Sequence, residues 1–454
     1  MKTRRKVFYG IIVLLLLILF GAAIYINSLL PIITGYAAKN LCSDVFVSGR
    51  DVADVESTDL NFSFIKFTRN KVDYDSRSVV SRFLWHKSKA IYREGFGVTL
   101  LSDISEETLR KERFPEDSLQ SASCDSIQWP LGDIVSDTVK GINRAALEEI
   151  TTHLIIDNAY NGKAFAFMVV HKGVPVAEAY KPQFSRKTRF LSWSMAKSFT
   201  NGIVAVLVKE GKMDISRPAE IKEWQGDERK NISLNDLLQM QSGLKWNEDY
   251  GSRSDVNLML HVEKDMAKYA CNQAAEFPAG THWYYSSGTA NIITYLVREL
   301  FPDDSSYYSF VHEKFLKKIG INDAVFEVDP SGNFVGSSYL YATARDYARF
   351  GLLYLNDGIF NSERILPEGW VKYTTTPASG SNGVYGALFW LNRSRRLPSA
   401  PEDTFSCEGH DGQMIFIIPS KDLVVVVLGY SPKSKGGMDF DRLLRDILGT
   451  LPES

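Results

Sequence analysis

The chain is poor in the residues that build metal centres and disulfide frameworks. Its 454 residues include four cysteines, Cys42, Cys124, Cys271 and Cys407, and seven histidines. No two cysteines are spaced C-x-x-C and the histidines do not cluster at ligand spacing, so a zinc site is not expected, nor any metal or cofactor. Cys42 and Cys124 both precede the region that carries the chemistry and are the expected bridge if the chain folds in an oxidising compartment. An excess of one charge is also missing: 52 Lys and Arg stand against 54 Asp and Glu, for a net charge of −2. With no basic block beyond the first six residues, no nucleic-acid partner is expected. Internal repeats and low-complexity tracts are absent. So is a Gly-x-Ser-x-Gly elbow, which argues against a Ser-His-Asp hydrolase of the α/β type.

In one stretch charge is missing altogether. "MKTRRK" is followed by "VFYGIIVLLLLILFGAAIYI", Val7 to Ile26. As a helix this run is roughly 30 Å long, enough to cross a bilayer core. Lys2, Arg4, Arg5 and Lys6 would keep the N-terminus in the cytoplasm. Residues 1–6 are therefore expected as a cytoplasmic tail and 7–26 as a single-pass anchor in the cell (inner) membrane. The remainder would be extracytoplasmic, or periplasmic. A cleaved signal peptide is the rival reading, but the run is long for a signal core and no small-x-small site directly follows it. A buried core helix would lack the polar face such helices carry.

Residues 31–143 read as a connector and a small β-rich region. "LNFSFIKF" alternates for part of its length, as a strand does, and "SRFLWHKSKAIYREGFGVTLL" has short apolar runs between polar turns. From residue 142 the pattern turns helical, with Leu147, Ile150 and Leu154 on one side. "AFAFMVVHKGVPVAEAY" predicts a hairpin turning at Lys172-Gly173. Ser233 and Gly243 bound a short helix in "SLNDLLQMQSGL", and Thr343 and Gly358 bound another in "TARDYARFGLLYLNDG". "QMIFIIPSKDLVVVVLGY" predicts two strands about a turn at Pro419 to Asp422, and "MDFDRLLRDILG" a closing amphipathic helix. Strands at both ends of residues 144–454, with helices between, predict an α+β (mixed α/β) domain: one sheet from distant segments with a helical insertion.

The chemistry turns on a serine three residues before a lysine, a spacing that occurs three times. Ser63 and Lys66 lie in the strand-like "NFSFIKF", where residues three apart point to opposite faces. Ser242 and Lys245 straddle Gly243, where a helix is expected to end. Only Ser194 and Lys197, in "FLSWSMAKSFTNGIVAVLVKEG", open a long helical pattern through Phe199, Ile203, Val206 and Leu207, so that they share a face. A helix N-terminus would stabilise an oxyanion, and a desolvated lysine can act as base. The alternative is a helix-capping serine and a solvated lysine.

Three separated motifs resemble the serine β-lactamase and penicillin-binding-protein superfamily, nearest its class C β-lactamases and related esterases. "SMAK" looks like the nucleophile motif, "LNDLLQMQSGL" is similar to the helix and turn that follow it, and "FPAGTHWYYSSGTANIITYLV" resembles the Tyr-x-Asn region. "GHDGQ" takes the place of Lys-Thr-Gly. The resemblance runs from about residue 144 to the C-terminus. It implies a β-lactamase/transpeptidase-like antiparallel sheet flanked by helices. It also implies Ser194 as nucleophile and Lys197 and Tyr285 as acid–base groups, with a Tyr285 phenolate beside the lysine as one form of the base. Ser287, His410, Gly412 and Gln413 would face substrate, and the backbone N–H groups of Ser194 and Gln413 would form the oxyanion hole. Ser287 stands where the family has asparagine, and His410-Asp411-Gly412 where it has Lys-Thr-Gly. Those departures point away from penicillins, toward the esterase and 6-aminohexanoate-dimer hydrolase branch and a small or peptide-like linear amide or ester substrate. D-Ala-D-Ala peptidase or β-lactamase activity, and a membrane-anchored sensor without turnover, are the alternatives.

Overall fold

A computed structural model describes residues 2–119 and 124–452; Met1, part of the expected tail, lies outside them. The apolar run does not end where its composition does. Helix α1 (Lys2–Phe46) continues unbroken for 45 residues, about 68 Å at the rise of an α-helix. Residues 5–27 are exposed, while from Leu30 onward the helix is largely buried. The expected connector at residue 31 is thus helix. Pro31 sits inside it, although proline forgoes a helical hydrogen bond. Packing overrides the propensity: a Cβ on Gly35 would lie 2.6 Å from the His261 carbonyl. The helix has length and composition enough to cross a membrane.

The buried half of α1 lies on a four-stranded antiparallel sheet, β1 (Arg69–Asp73), β2 (Ser78–Phe83), β3 (His86–Arg93) and β4 (Gly97–Leu100), paired in sequence order. Ala37, Leu41 and Cys42 pack with Val79, Ala90 and Val98 of the sheet. This packing overturns the expected Cys42–Cys124 bridge. Cys42 is a free, buried thiol directed at the Ala90 carbonyl, 3.6 Å away; the Cys124 side chain lies outside the described residues. "LNFSFIKF" is not a strand either. Ser63 has φ 43° and Ile65–Phe67 is a single 3₁₀ turn, so burial does not alternate along the stretch and only Leu60 and Ile65 are buried.

The second layer structure begins at α2 (Arg144–Ile155), followed by β5 (Lys163–His171) and β6 (Val174–Tyr180). Lys172 and Gly173 both take positive φ, 52° and 74°, as a two-residue hairpin loop of this hand requires. Then come α3 (Ala196–Lys209), α4 (Leu234–Leu238), α5 (Ser287–Arg298) and α6 (Ala344–Leu355). Ser233 and Thr343 each form a capping box, with Asp236 and Asp346. Gly243 is not the stop of α4; the helix has ended by Gln239, and Met240 has φ 57°. Strands β7 (Trp390–Leu391), β8 (Phe405–Gly409), β9 (Gln413–Ile418) and β10 (Leu423–Tyr430) complete an antiparallel sheet ordered β7-β8-β9-β10-β5-β6, and α7 (Phe440–Leu448) closes the chain. Alternation along the strands divides the core. Phe167, Val169, Val425 and Val427 face Leu147, Leu154, Leu443 and Ile447 of α2 and α7. Ala166, Met168, Val424 and Val426 face the helices of the other side, with Phe199, Tyr347 and Phe350.

One buried carboxylate joins these parts. Glu327 is fully buried. It pairs with Lys39 of α1, accepts the Ser43 hydroxyl at 3.0 Å and accepts the Val98 N–H of β4 at 2.8 Å. Helix, accessory sheet and main domain therefore share a single charge.

Candidate active site

The nucleophile candidate sits on the turn that enters α3. Ser194 is the middle residue of a 3₁₀ turn, Trp193–Met195, running directly into the helix. The preceding residue, Trp193, is held at φ 46°, a conformation that costs a bulky side chain free energy unless its surroundings fix it. They do: its ring stacks on Tyr36 of α1 at 6.3 Å and meets His410 edge-on at 5.5 Å. Gly409 approaches so closely that a Cβ there would lie 2.2 Å from the Ser192 carbonyl. The turn is thus clamped between α1 and the end of β8.

Lys197 lies one helical turn on and is 1% exposed. Its Nζ donates to Ser194 Oγ at 3.0 Å, to Ser287 Oγ at 3.0 Å and to the Ser337 carbonyl at 2.9 Å. Three acceptors saturate an ammonium's donors. This geometry excludes the capping-serine and solvated-lysine alternative, since Lys197 is buried and no side chain caps α3. Of the three Ser-x-x-Lys pairs, it is the one the fold brings together. Ser242 Oγ instead accepts the Leu244 N–H at 3.4 Å, and Lys66 lies over the Phe67 ring.

Electrostatics separate the two candidate bases. Burial pulls the Lys197 pKa down to about 8, with the Glu248 carboxylate acting in the opposite direction. Tyr285 lies under the lysine, its ring centre 4.8 Å from Nζ, and packs against Tyr385 and Trp390. Burial and then Glu248 raise the phenol well above its usual range, and the hydroxyl of Ser194 draws it back only in part. The expected phenolate is therefore disfavoured, and Tyr285 stands as a neutral phenol.

The remaining candidates divide. Ser287 is fully buried and behind the lysine, not facing outward as expected for a substrate contact. Its hydroxyl donates to Glu248 and its N–H reaches Glu248 Oε2 at 2.9 Å. Its place in the first turn of α5 fixes this orientation. His410 forms, with Asp411 and Gly412, the three-residue loop that joins β8 to β9, in which Asp411 takes φ 57°. Its partly exposed ring stacks on Tyr250 at 5.0 Å. Gly412 has φ 88° within that turn. Gln413 spends its side-chain amide on β10, donating to the Gly429 carbonyl at 2.6 Å and accepting its N–H at 3.0 Å, so only its backbone is available to a ligand.

Sequence reasoning missed Glu248 and Tyr250. Glu248 also accepts the Trp246 indole N–H at 2.5 Å and the Tyr250 hydroxyl at 3.1 Å. In "WNEDYGS" they sit among polar turn residues without periodicity, and no sequence signal separates Glu248 from its neighbour Asp249.

An antiparallel sheet flanked by helices, with a buried lysine against a helix-borne serine, defines the β-lactamase-like class of serine hydrolases. The Beta-lactamase family model matches residues 154–449, and the chain belongs to that family. It is 24% identical over 298 residues to the 6-aminohexanoate-dimer hydrolase of Paenarthrobacter ureafaciens, covering 59% of this chain and 72% of that one. Among solved structures, "Putative 6-aminohexanoate-dimer hydrolase from Bacillus anthracis" superposes with a TM-score of 0.57 at 23% identity, over 75% of this chain and 91% of the other. A family VIII carboxylesterase superposes with a TM-score of 0.53 at 15% identity, over 70% and 99%.

Proposed function

We propose that the protein is a membrane-anchored serine hydrolase that cleaves a linear amide or ester through an acyl-enzyme. The observation that carries this reading is a buried amine 3.0 Å from the Ser194 hydroxyl, with its pKa lowered to about 8. Neutral Lys197 takes the Ser194 proton as Oγ bonds to the substrate carbonyl carbon. The backbone N–H groups of Ser194 and Gln413 receive the developing oxyanion. Tyr285, still protonated, gives its proton to the departing nitrogen or oxygen as that bond breaks, leaving a phenolate beside the Lys197 ammonium. In the second half a water loses its proton to that phenolate and attacks the acyl carbon. Lys197 then returns its proton to Ser194 as the ester bond breaks, and the original protonation states are restored.

Glu248 and Ser287 hold Lys197 in this geometry, while His410, Gly412 and Tyr250 border the substrate. Ser287 and His410 in place of asparagine and lysine remove contacts suited to a β-lactam carboxylate. The similarity to a 6-aminohexanoate-dimer hydrolase favours a linear amide or a related ester. Residues 7–26 form the anchor, residues 144–454 the hydrolase, and the domain lies outside the cytoplasm. The unbroken helix through residue 46 favours a retained span over a cleaved signal, which would need an accessible extended segment.

The test is a panel of small esters, linear amides, a D-Ala-D-Ala peptide and β-lactams with detergent-solubilised full-length protein, alongside fluorophosphonate labelling. Ester or linear-amide turnover far above cephalosporin turnover is expected. Comparable cephalosporin turnover would overturn the substrate assignment, and labelling of Ser194 without turnover of any substrate would point to a sensor.

A further inference from the structure

The accessory sheet carries an exposed apolar end that the hydrolase site does not use. Strands β2 and β3 pair up to Phe83 with His86, so Leu84 and Trp85 are the two loop residues of the hairpin. Such loops ordinarily take Asn, Asp or Gly, which tolerate the backbone and face water. Here Leu84 adopts φ 52°, and the two side chains are 61% and 66% exposed. Phe64, 55% exposed, packs near Phe83 at 6.4 Å. The register that pairs Arg69 with Arg82 carries Phe67, 57% exposed, toward the same tip. Single exposed hydrophobes are commonplace, but four gathered on one tip mark an interaction surface.

The neighbourhood of the tip says what covers it. The Trp85 indole N–H donates to the Asn27 side chain at 2.9 Å. Asn27 directly follows the apolar run of residues 7–26, at the last exposed turn of α1 before the helix becomes buried. Thr34, two turns on, bonds His86 and Ser88. The tip is therefore fixed at the level where α1 would leave a bilayer, the level at which tryptophan is favoured. Around it lie Lys66, Arg69, Arg82 and Lys87, all exposed and without an ion pair among the described residues. Arg82, Lys87 and Pro31 wall a cleft of about 510 Å³, with Asp103 the sole carboxylate on its lining. An apolar tip inside a cationic collar matches the acyl and headgroup layers of an anionic bilayer.

We infer that the β2–β3 tip, with Phe64 and Phe67, docks into the surface of the bilayer that α1 spans, and that Lys66, Arg69, Arg82 and Lys87 contact its anionic headgroups. This rests on the anchor reading. The tip gives the hydrolase a second point of attachment and fixes its tilt.

The eight tryptophans include none in residues 7–26, so quenching from inside the bilayer reports on Trp85 and not on the span. Full-length protein is reconstituted in vesicles containing an anionic phospholipid, with acyl chains brominated near the headgroup. Tryptophan emission should be quenched on the scale of one residue in eight, and Trp85→Phe should remove that component while leaving ester hydrolysis unchanged. Arg82→Glu/Lys87→Glu should weaken the quenching, and zwitterionic vesicles should show less of it than anionic ones. Alkaline carbonate washing of the same vesicles separates the two readings. If the protein is retained but wild type and Trp85→Phe are quenched alike, docking is wrong and the anchor stands. If carbonate extracts the protein, the anchor reading fails and the docking falls with it.

Discussion

At Ser194 and Lys197 the roles can be separated by substitution. Ser194→Ala should abolish the covalent step, and Lys197→Ala should fall almost as far, since residues that act as a unit lose activity non-additively. Tyr285→Phe keeps the ring against Tyr385 and Trp390 and removes only the proton donor, so a loss of about a hundred-fold or more is expected. Ser63→Ala and Ser242→Ala should leave turnover near wild type. Initial rates on the best ester, with thermal unfolding as a folding control, check all five; a folded Ser194→Ala protein with most of its activity would end the serine-hydrolase reading. The pH profile tests the base. In the proposed mechanism Lys197 works when neutral, so the rate should climb as pH rises through about 8. The Glu248 charge favours the protonated lysine, so Glu248→Gln should move that limb to lower pH while lowering kcat. A limb that stays in place would remove Glu248 from the lysine's surroundings. Ser194 and Lys197 were legible because a 3.6-residue period put them on one face ahead of an apolar helix. Glu248 was not, because contacts 39 residues apart, to Ser287, leave no local pattern.

Among the elements, capped helices and the strands of the main sheet follow their sequence signals closely: Thr343 and the turn at Lys172-Gly173 fall where their chemistry requires. Helix α1 beyond Ile26 does not, because its packing on the accessory sheet and His261 is non-local and leaves no local pattern. That buried half should be costly to loosen. Lys39→Met leaves the Glu327 carboxylate buried without its counter-charge, a loss of about 3–5 kcal/mol. Denaturant unfolding should show it, and Lys39→Met/Glu327→Gln should recover much of it; a single mutant as stable as wild type would mean that the pair does not hold α1 in place. A second contact of α1 bears on catalysis. Tyr36→Ala removes the ring that backs Trp193, and kcat should drop on the order of ten-fold with little change in KM. Tyr36→Phe, which keeps the stack, should restore it.

For the whole molecule, the anchored reading predicts that the full chain sediments with membranes and needs detergent for release. A chain lacking residues 7–26 should be soluble in buffer, with kcat unchanged. Alkaline phosphatase fused at the C-terminus should be active on the outer side; an inactive fusion on an otherwise stable protein would reverse the topology. The continuity of α1 then sets a distance. Asn27 and Tyr36 lie nine positions apart, about 14 Å along a rigid helix, and Tyr36 touches the residue next to Ser194. A flexible linker would let a tethered enzyme sweep a volume of solvent. On the anchored reading, this helix holds Ser194 at a fixed altitude, so bonds presented within that thin layer are within reach and the same bonds farther out are not, however well they would fit the site.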